Sequence, residues 1–259
     1  MSVLRWHELA APELRRLASE GAIVLWPVGA TEQHGAHLAT GFDLAAATAV
    51  CERAAEALAP QAVLAPGLPF GASPHWLPLG ATLSLAPTTL VSVIGDVIAS
   101  VERAGFPRLV VVNGHAGNVG PIATALGATS ESRLVVELVS YWTLPDPAEL
   151  AAACDRDDGG IGHGGEIETA IALYLERGLL RGPLPKEAGA PLGADRPGSR
   201  RTVFLRVPRP LEESPGGVYG DPRAARRELG ELVISRAAEA LIEHCRALRA
   251  PDLGDSPHG

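Results

Sequence analysis

The sequence predicts an α/β fold built on a mostly parallel sheet. Short apolar runs alternate along the chain with longer stretches patterned at helical spacing. The clearest run, Leu109-Val110-Val111-Val112, is continuous and β-branched, as a strand buried on both faces requires, and Gly114 cuts it off. The 259 residues are 46% hydrophobic, which is enough apolar side chain to cover both faces of such a sheet.

The elements follow in order. Residues 11–20 read as a helix with Pro12 near its start, where a missing N–H does no harm. Residues 22–28 are an apolar strand bounded by Pro and Gly. Residues 43–59 carry Ala, Val, Cys and Leu at helical spacing, and 61–66 form a short strand. A long helix covers 87–104, opening at Pro87-Thr88-Thr89 and stopping at Gly105. Residues 108–114 are the central strand, 119–131 a helix, 134–139 another strand, and 165–179 a helix. Residues 180–214 are rich in Pro, Gly and Arg and read as an irregular excursion with one short strand at 202–207. The last helix is expected over 222–249, with Asp221 as N-cap and Pro222 at its first position. Residues 251–259 are expected to fray. The chain reads as one domain, 1–259.

Chemistry-bearing residues collect where strands end. Thr31-Glu32-Gln33-His34-Gly35 follows the 22–28 strand, with Asp43 nine residues after His34. Ligands of open α/β sheets bind outside the carboxyl ends of strands. In extended chain Glu32 and His34 share a side. Asn113-Gly114-His115-Ala116-Gly117-Asn118 ends the strongest strand and brings His115 to an equivalent place. There Gly114 and Gly117 allow close backbone approach to a ligand, and Asn118 is placed to cap the next helix or to support a ligand from behind. A third cluster, Gly162-His163-Gly164-Gly165-Glu166-Ile167-Glu168-Thr169, opens a helix. One of Glu166 and Glu168 is explained by capping, since acids favour a first turn; the other is free for chemistry. Glu32, His34, Asp43, His115 and one of those two acids suit one zinc with an open position or a carboxylate-bridged pair of ions. His163 is then spare, and an imidazole can shuttle a proton to a leaving nitrogen. His37 lies close enough to donate to a ligand carboxylate, or else is a solvated loop residue, and His75, beside Trp76, reads as lining the pocket mouth.

The bulk numbers exclude other classes. A net charge of −8 argues against nucleic acid or an anionic membrane as partner. Cys51, Cys154 and Cys245 are odd in number and far apart, so no disulfide framework is expected, and Cys51 and Cys245 fall on helix cores. With no signal-like apolar stretch at residues 1–7 and no run of roughly 20 apolar residues, a cytoplasmic protein is expected.

The chain resembles the creatininase family of metal-dependent amidohydrolases. The resemblance runs through residues 6–9, 27–43, 75–85, 113–118, 163–169 and 217–222, and is carried by Glu-Gln-His-Gly from Glu32 and His-Gly-Gly-Glu-x-Glu-Thr from His163. It implies a single three-layer α/β/α domain, a homohexamer, and a binuclear site for zinc, or manganese or iron. By resemblance, Glu32 and His115 hold one ion, His34 the other, Asp43 bridges them, Glu166 completes the second set, and His163 is the catalytic acid/base. Glu168, His37 and Asn118 then support the ligands from outside, and Trp142 either matches a substrate-side tryptophan or is a core or rim aromatic. Trp142, His75 and Gly117 would face a small-molecule substrate.

The chain also departs from creatininase itself. Gly117 stands where a ligand glutamate is expected, and Gly159 where a tryptophan closes on the substrate. Ala81 and Phe42 replace the expected Gly and Thr. These changes imply a reshaped pocket. The leading expectation is therefore an amidohydrolase in which a hydroxide bridging two ions attacks a non-peptide or cyclic amide, lactam or formamide. The rivals are a peptidase maturing a short precursor peptide, as in the mycofactocin branch with its similar Asn-Gly-His-x-Gly-Asn, a creatinine amidohydrolase, and a metal-stabilised scaffold.

Overall fold

The computed structural model describes residues 2–129, 132–155, 162–190 and 209–249. The expected strand at 202–207, the tail at 251–259 and Gly159 lie outside the described residues.

Among the described residues, four strands form one parallel sheet: β1 (Ile23–Val28), β2 (Ala62–Leu64), β3 (Arg108–Asn113) and β4 (Val135–Ser140), in the order β2-β1-β3-β4. β1 pairs in parallel with β3 from Ile23↔Arg108 to Val28↔Asn113, so the two strands end side by side. Proline is unusual in a central strand because it donates nothing to the ladder. Pro27 is tolerated because its carbonyl faces Leu68 on the β2 side, where β2 has already ended at Leu64.

The helices among the described residues are α1 (Ala11–Ser19), α2 (Phe42–Leu58), α3 (Pro87–Arg103), α4 (Val119–Gly127), α5 (Pro147–Ala153), α6 (Glu166–Leu175), α7 (Pro210–Glu213) and α8 (Arg227–Arg249). Alternation along β1 divides the core. Ile23 and Leu25 pack with Val50, Ile171 and Val233 of α2, α6 and α8. Val24, Trp26 and Val28 pack with Leu17, Ile94 and Ile122 of α1, α3 and α4. The result is the three-layer arrangement of helices, sheet and helices. Crossover handedness explains the assignment. The chain moves one way from β1 to β2 and the other way from β2 to β3 to β4, so right-handed crossovers put α2 on one face and α3 and α4 on the other. That reversal makes the ends of β1 and β3 the topological switch point, where open sheets leave a crevice.

Differences from expectation have local causes. The final helix starts at Arg227. Asp221 does accept from the Arg223 N–H and Pro222 does follow it, but they open only a 3₁₀ turn, Pro222–Ala224, which the extended Ala225 ends. Asn118 makes no side-chain cap for α4. The short α5 and α7 and the 3₁₀ turn Pro74–Leu79 are too brief for a periodic signal. Cys51 and Cys245 are buried free thiols. Among the described residues, no helix is long and apolar enough to cross a membrane.

Candidate metal centre

The switch point gathers the expected residues. Glu32 and His34 sit in the loop after β1, His115 just after β3, and Asp43 in the first turn of α2. Gly114 permits the last placement: a Cβ there would lie 2.2 Å from the Asp43 carbonyl oxygen. The absence of that methyl lets α2 begin against the end of β3.

Asp43 stands between two imidazoles. Its Oδ1 is 3.0 Å from His34 Nε2, and its Oδ2 is 3.4 Å from His115 Nδ1. His115 Nδ1 also lies 3.2 Å from Glu32 Oε1, and His34 Nε2 lies 3.6 Å from Glu168 Oε2. All five side chains are buried. Asp43 Oδ2 and both Glu32 carboxylate oxygens take no hydrogen bond of good geometry among the described residues. Buried carboxylate oxygens without donors are costly unless a cation meets them. The donor set of carboxylates and imidazoles, without thiolate, suits zinc, manganese or iron.

The imidazoles are oriented as ligands are. His34 Nδ1 donates to the Glu32 carbonyl at 3.1 Å, which leaves Nε2 for the carboxylates. His115 Nε2 faces the Ala72 carbonyl at 3.2 Å and Ser73 Oγ at 3.1 Å, which turns Nδ1 inward. Burial alone would lower both pKa values. The charges of Asp43 around His34, and of Glu32 and Asp43 around His115, override it and raise each to about 10. The Asp43 carboxyl is held below its usual range in turn, against its own burial, by those two imidazoles. Burial, helped by the Asp43 charge, lifts Glu168 to about 7.

Glu166 and Glu168 exchange their expected places. Glu168 reaches the cluster, where its Oε2 also accepts from the Gly164 N–H at 2.6 Å. Glu166 Oε1 instead accepts from the Asp155 N–H at 2.9 Å. Two residues on a helix are about 200° apart around the axis, so both acids cannot face His34.

His163 lies between two rings, 4.2 Å from His34 and 4.1 Å from Trp76 between centroids. Its Nε2 donates to the Gln33 carbonyl at 2.6 Å, and its Nδ1 points to Glu32 Oε1 at 3.4 Å. Burial, reinforced by the His34 charge, holds its pKa well below the usual value, so the ring is neutral. The Gln33 amide is placed by the Gly217 carbonyl and the Gly35 N–H.

The remaining expectations divide. Asn118 is a tie between loops: Oδ1 accepts from the Ala72 N–H at 2.9 Å, and Nδ2 donates to the Gly29 carbonyl at 3.0 Å and to Asn113 Oδ1 at 3.2 Å. Asn113 in turn grips the His115 backbone. His37 is neither solvated nor on a ligand carboxylate; it is buried, with Nε2 3.0 Å from Thr169 Oγ1. His75 is half-buried beside His115, and Gly117 lies in the 3₁₀ turn after it. Trp142 is not brought to the cluster: it packs edge-on to Tyr141 against the α2, α6 and α8 core. The tryptophan at the site is Trp76, in a turn too short to register as an element; its only sequence signal is adjacency to His75.

The chain is similar to known proteins in sequence and in fold. The family model described as creatinine amidohydrolase matches residues 7–245. A creatinine amidohydrolase of Pseudomonas putida is 31% identical over 259 residues, covering 94% of each chain. A mycofactocin precursor peptide peptidase of Mycobacterium tuberculosis is 29% identical over 248 residues, covering 92% of this chain and 88% of its own. A crystal structure of creatininase superposes with a TM-score of 0.84 at 27% identity, covering 97% of this chain and 100% of that one. Two similar structures are a manganese creatininase and a mutant of Zn–Zn type, with TM-scores of 0.80 and 0.81 at 30% and 29% identity, each covering 97% of this chain and 100% of its own. The chain belongs to the creatininase family and is a hydrolase of carbon–nitrogen bonds.

Proposed function

We propose that the protein is a binuclear metal-dependent amidohydrolase acting on a small non-peptide or cyclic amide. The observation that carries the reading is Asp43, whose two oxygens face different imidazoles, while its own Oδ2 and both Glu32 oxygens are buried without a hydrogen bond of good geometry among the described residues. Glu32, His115 and Asp43 hold one ion; His34, Glu168 and Asp43 hold the other. Zinc fits this set best, with manganese or iron as alternatives. Bound here, two divalent ions supply the Lewis acidity that ionises water and polarises a carbonyl.

The chain's own residues do the rest. His163 is neutral, with its proton on Nε2 held by the Gln33 carbonyl, so Nδ1 is free to take a proton from the attacking water. The same atom returns it to the departing nitrogen. Trp76 and His34 clamp the ring on both faces and keep Nδ1 aimed at the cluster. A homo-oligomer, hexameric as the family resemblance implies, and a cytoplasmic location complete the proposal.

The test is metal analysis followed by a turnover screen over lactams, formamides, linear amides, creatinine and short peptides. Two ions per chain with turnover of a small amide is the expected result. Turnover of peptides alone would replace it with the peptidase reading. Two ions with no turnover anywhere would leave a metal-stabilised scaffold.

A further inference from the structure

We propose that His75 is a third imidazole of the metal centre, a direct ligand of the ion held by Glu32 and His115. The proposal rests on the binuclear reading above and extends it to a residue otherwise read as pocket rim. The available ligand atoms of Glu32, His75 and His115 all lie within 4.8 Å of one another, close enough to converge on a single ion. The His75 and His115 rings run almost parallel, 9° apart, with centroids 5.9 Å apart.

The backbone explains why this histidine is the one presented. Ala72 and Ser73 hold His115 Nε2 through a carbonyl and a hydroxyl, so the segment that orients His115 is the one that carries His75 two residues later. The turn from Pro74 then directs the chain back over the site. That segment also closes off position 117. A Cβ on Gly117 would lie 2.3 Å from the Ala72 carbonyl oxygen and 2.4 Å from His115 Nε2. No side chain can enter from position 117 while the 72–75 segment stands there. The segment itself brings an imidazole. The first ion is then met by two carboxylates and two imidazoles, the second by two carboxylates and one imidazole. Such asymmetry makes the first position the more selective for zinc-like, borderline ions.

The test uses the full-length protein stripped of metal and titrated with Zn²⁺ against a chromophoric chelator, and separately with Co²⁺ followed by visible absorption. Wild type should take up two ions. His75→Ala should retain one at wild-type affinity and bind the other at least about 100-fold more weakly, at or beyond the upper end of what loss of an outer contact costs. His75→Cys guards against a simple folding defect: it should restore uptake of the second Co²⁺ and add a thiolate-to-cobalt charge-transfer band, which appears only if residue 75 touches the ion. Two ions bound by His75→Ala with unchanged affinities, or a His75→Cys spectrum without the new band, would overturn the proposal and leave the binuclear reading intact. Fewer than two ions in wild type would instead defeat the binuclear reading itself.

Discussion

The Trp76 indole lies face to face with the His163 imidazole, with centroids 4.1 Å apart and planes at 22°. With His34 on the opposite face, the stack fixes the plane of a neutral imidazole set against charged groups. Trp76→Ala removes a buried aromatic and should cost about 3 kcal/mol of stability. It should lower kcat by about 10- to 100-fold through misorientation, with metal content retained. Solvent admitted to the ring should bring the His163 pKa back up toward its ordinary value, so the acid limb of the kcat–pH profile should move to higher pH. A profile that stays in place would show that the indole does not control the ring.

Asp43 should be the residue whose loss empties the centre. Asp43→Asn removes charge from both positions and should abolish binding of both ions. Glu168→Gln should weaken only the ion beside His34. Metal content per chain, measured after desalting, separates the two.

The Glu166 variant tests the exchange of the two acids. Glu166→Gln should leave both ions bound, because its carboxylate holds the Asp155 backbone outside the cluster. Loss of an ion from Glu166→Gln with retention in Glu168→Gln would reverse the assignment.

Metal uptake should release protons. In the metal-free protein His34 and His115 titrate near pH 10, so at pH 7.5 both carry the extra proton that a ligand must shed. Zn²⁺ added in weak buffer should therefore acidify the solution, and apparent affinity should climb with pH until about 10. The stability of the metal-free protein runs the other way. A folded pKa above the unfolded 6.5 contributes stability that is complete below pH 6.5 and is lost as pH rises through about 10. Thermal melts of the stripped protein should show Tm falling across that interval.

Asn118 ties three loops from a fully buried position. Asn118→Ala strands the Ala72 N–H and the Gly29 carbonyl, at about 1–3 kcal/mol for each buried group left unpaired. Tm should drop, and metal affinity should fall about 10-fold as the Ala72–Ser73 support of His115 loosens.

The central strands and the residues at their ends are legible in the amino-acid sequence. The strands at 22–28 and 108–114 announce themselves because burial on both faces demands unbroken apolar runs, and their paired ends carry Glu32, His34 and His115. Right-handed crossovers then make those ends one crevice. Asp43 can be assigned to the cluster from its spacing, but its central place depends on α2 touching Gly114, a contact between residues far apart in the chain.

Other features depend on rotation and turns that local pattern does not encode. Glu166 and Glu168 are both acids in one helical turn, and only the packing of α6 decides which faces His34. Trp142 and Trp76 are both tryptophans near motifs, and the 3₁₀ turn at Pro74–Leu79 decides which one reaches His163. The layered fold and the chemical type of the centre follow from apolar periodicity and from residue types at strand ends, which the chain carries locally. Which acid and which aromatic complete the centre is a matter of side-chain direction, and that is set by how distant segments pack.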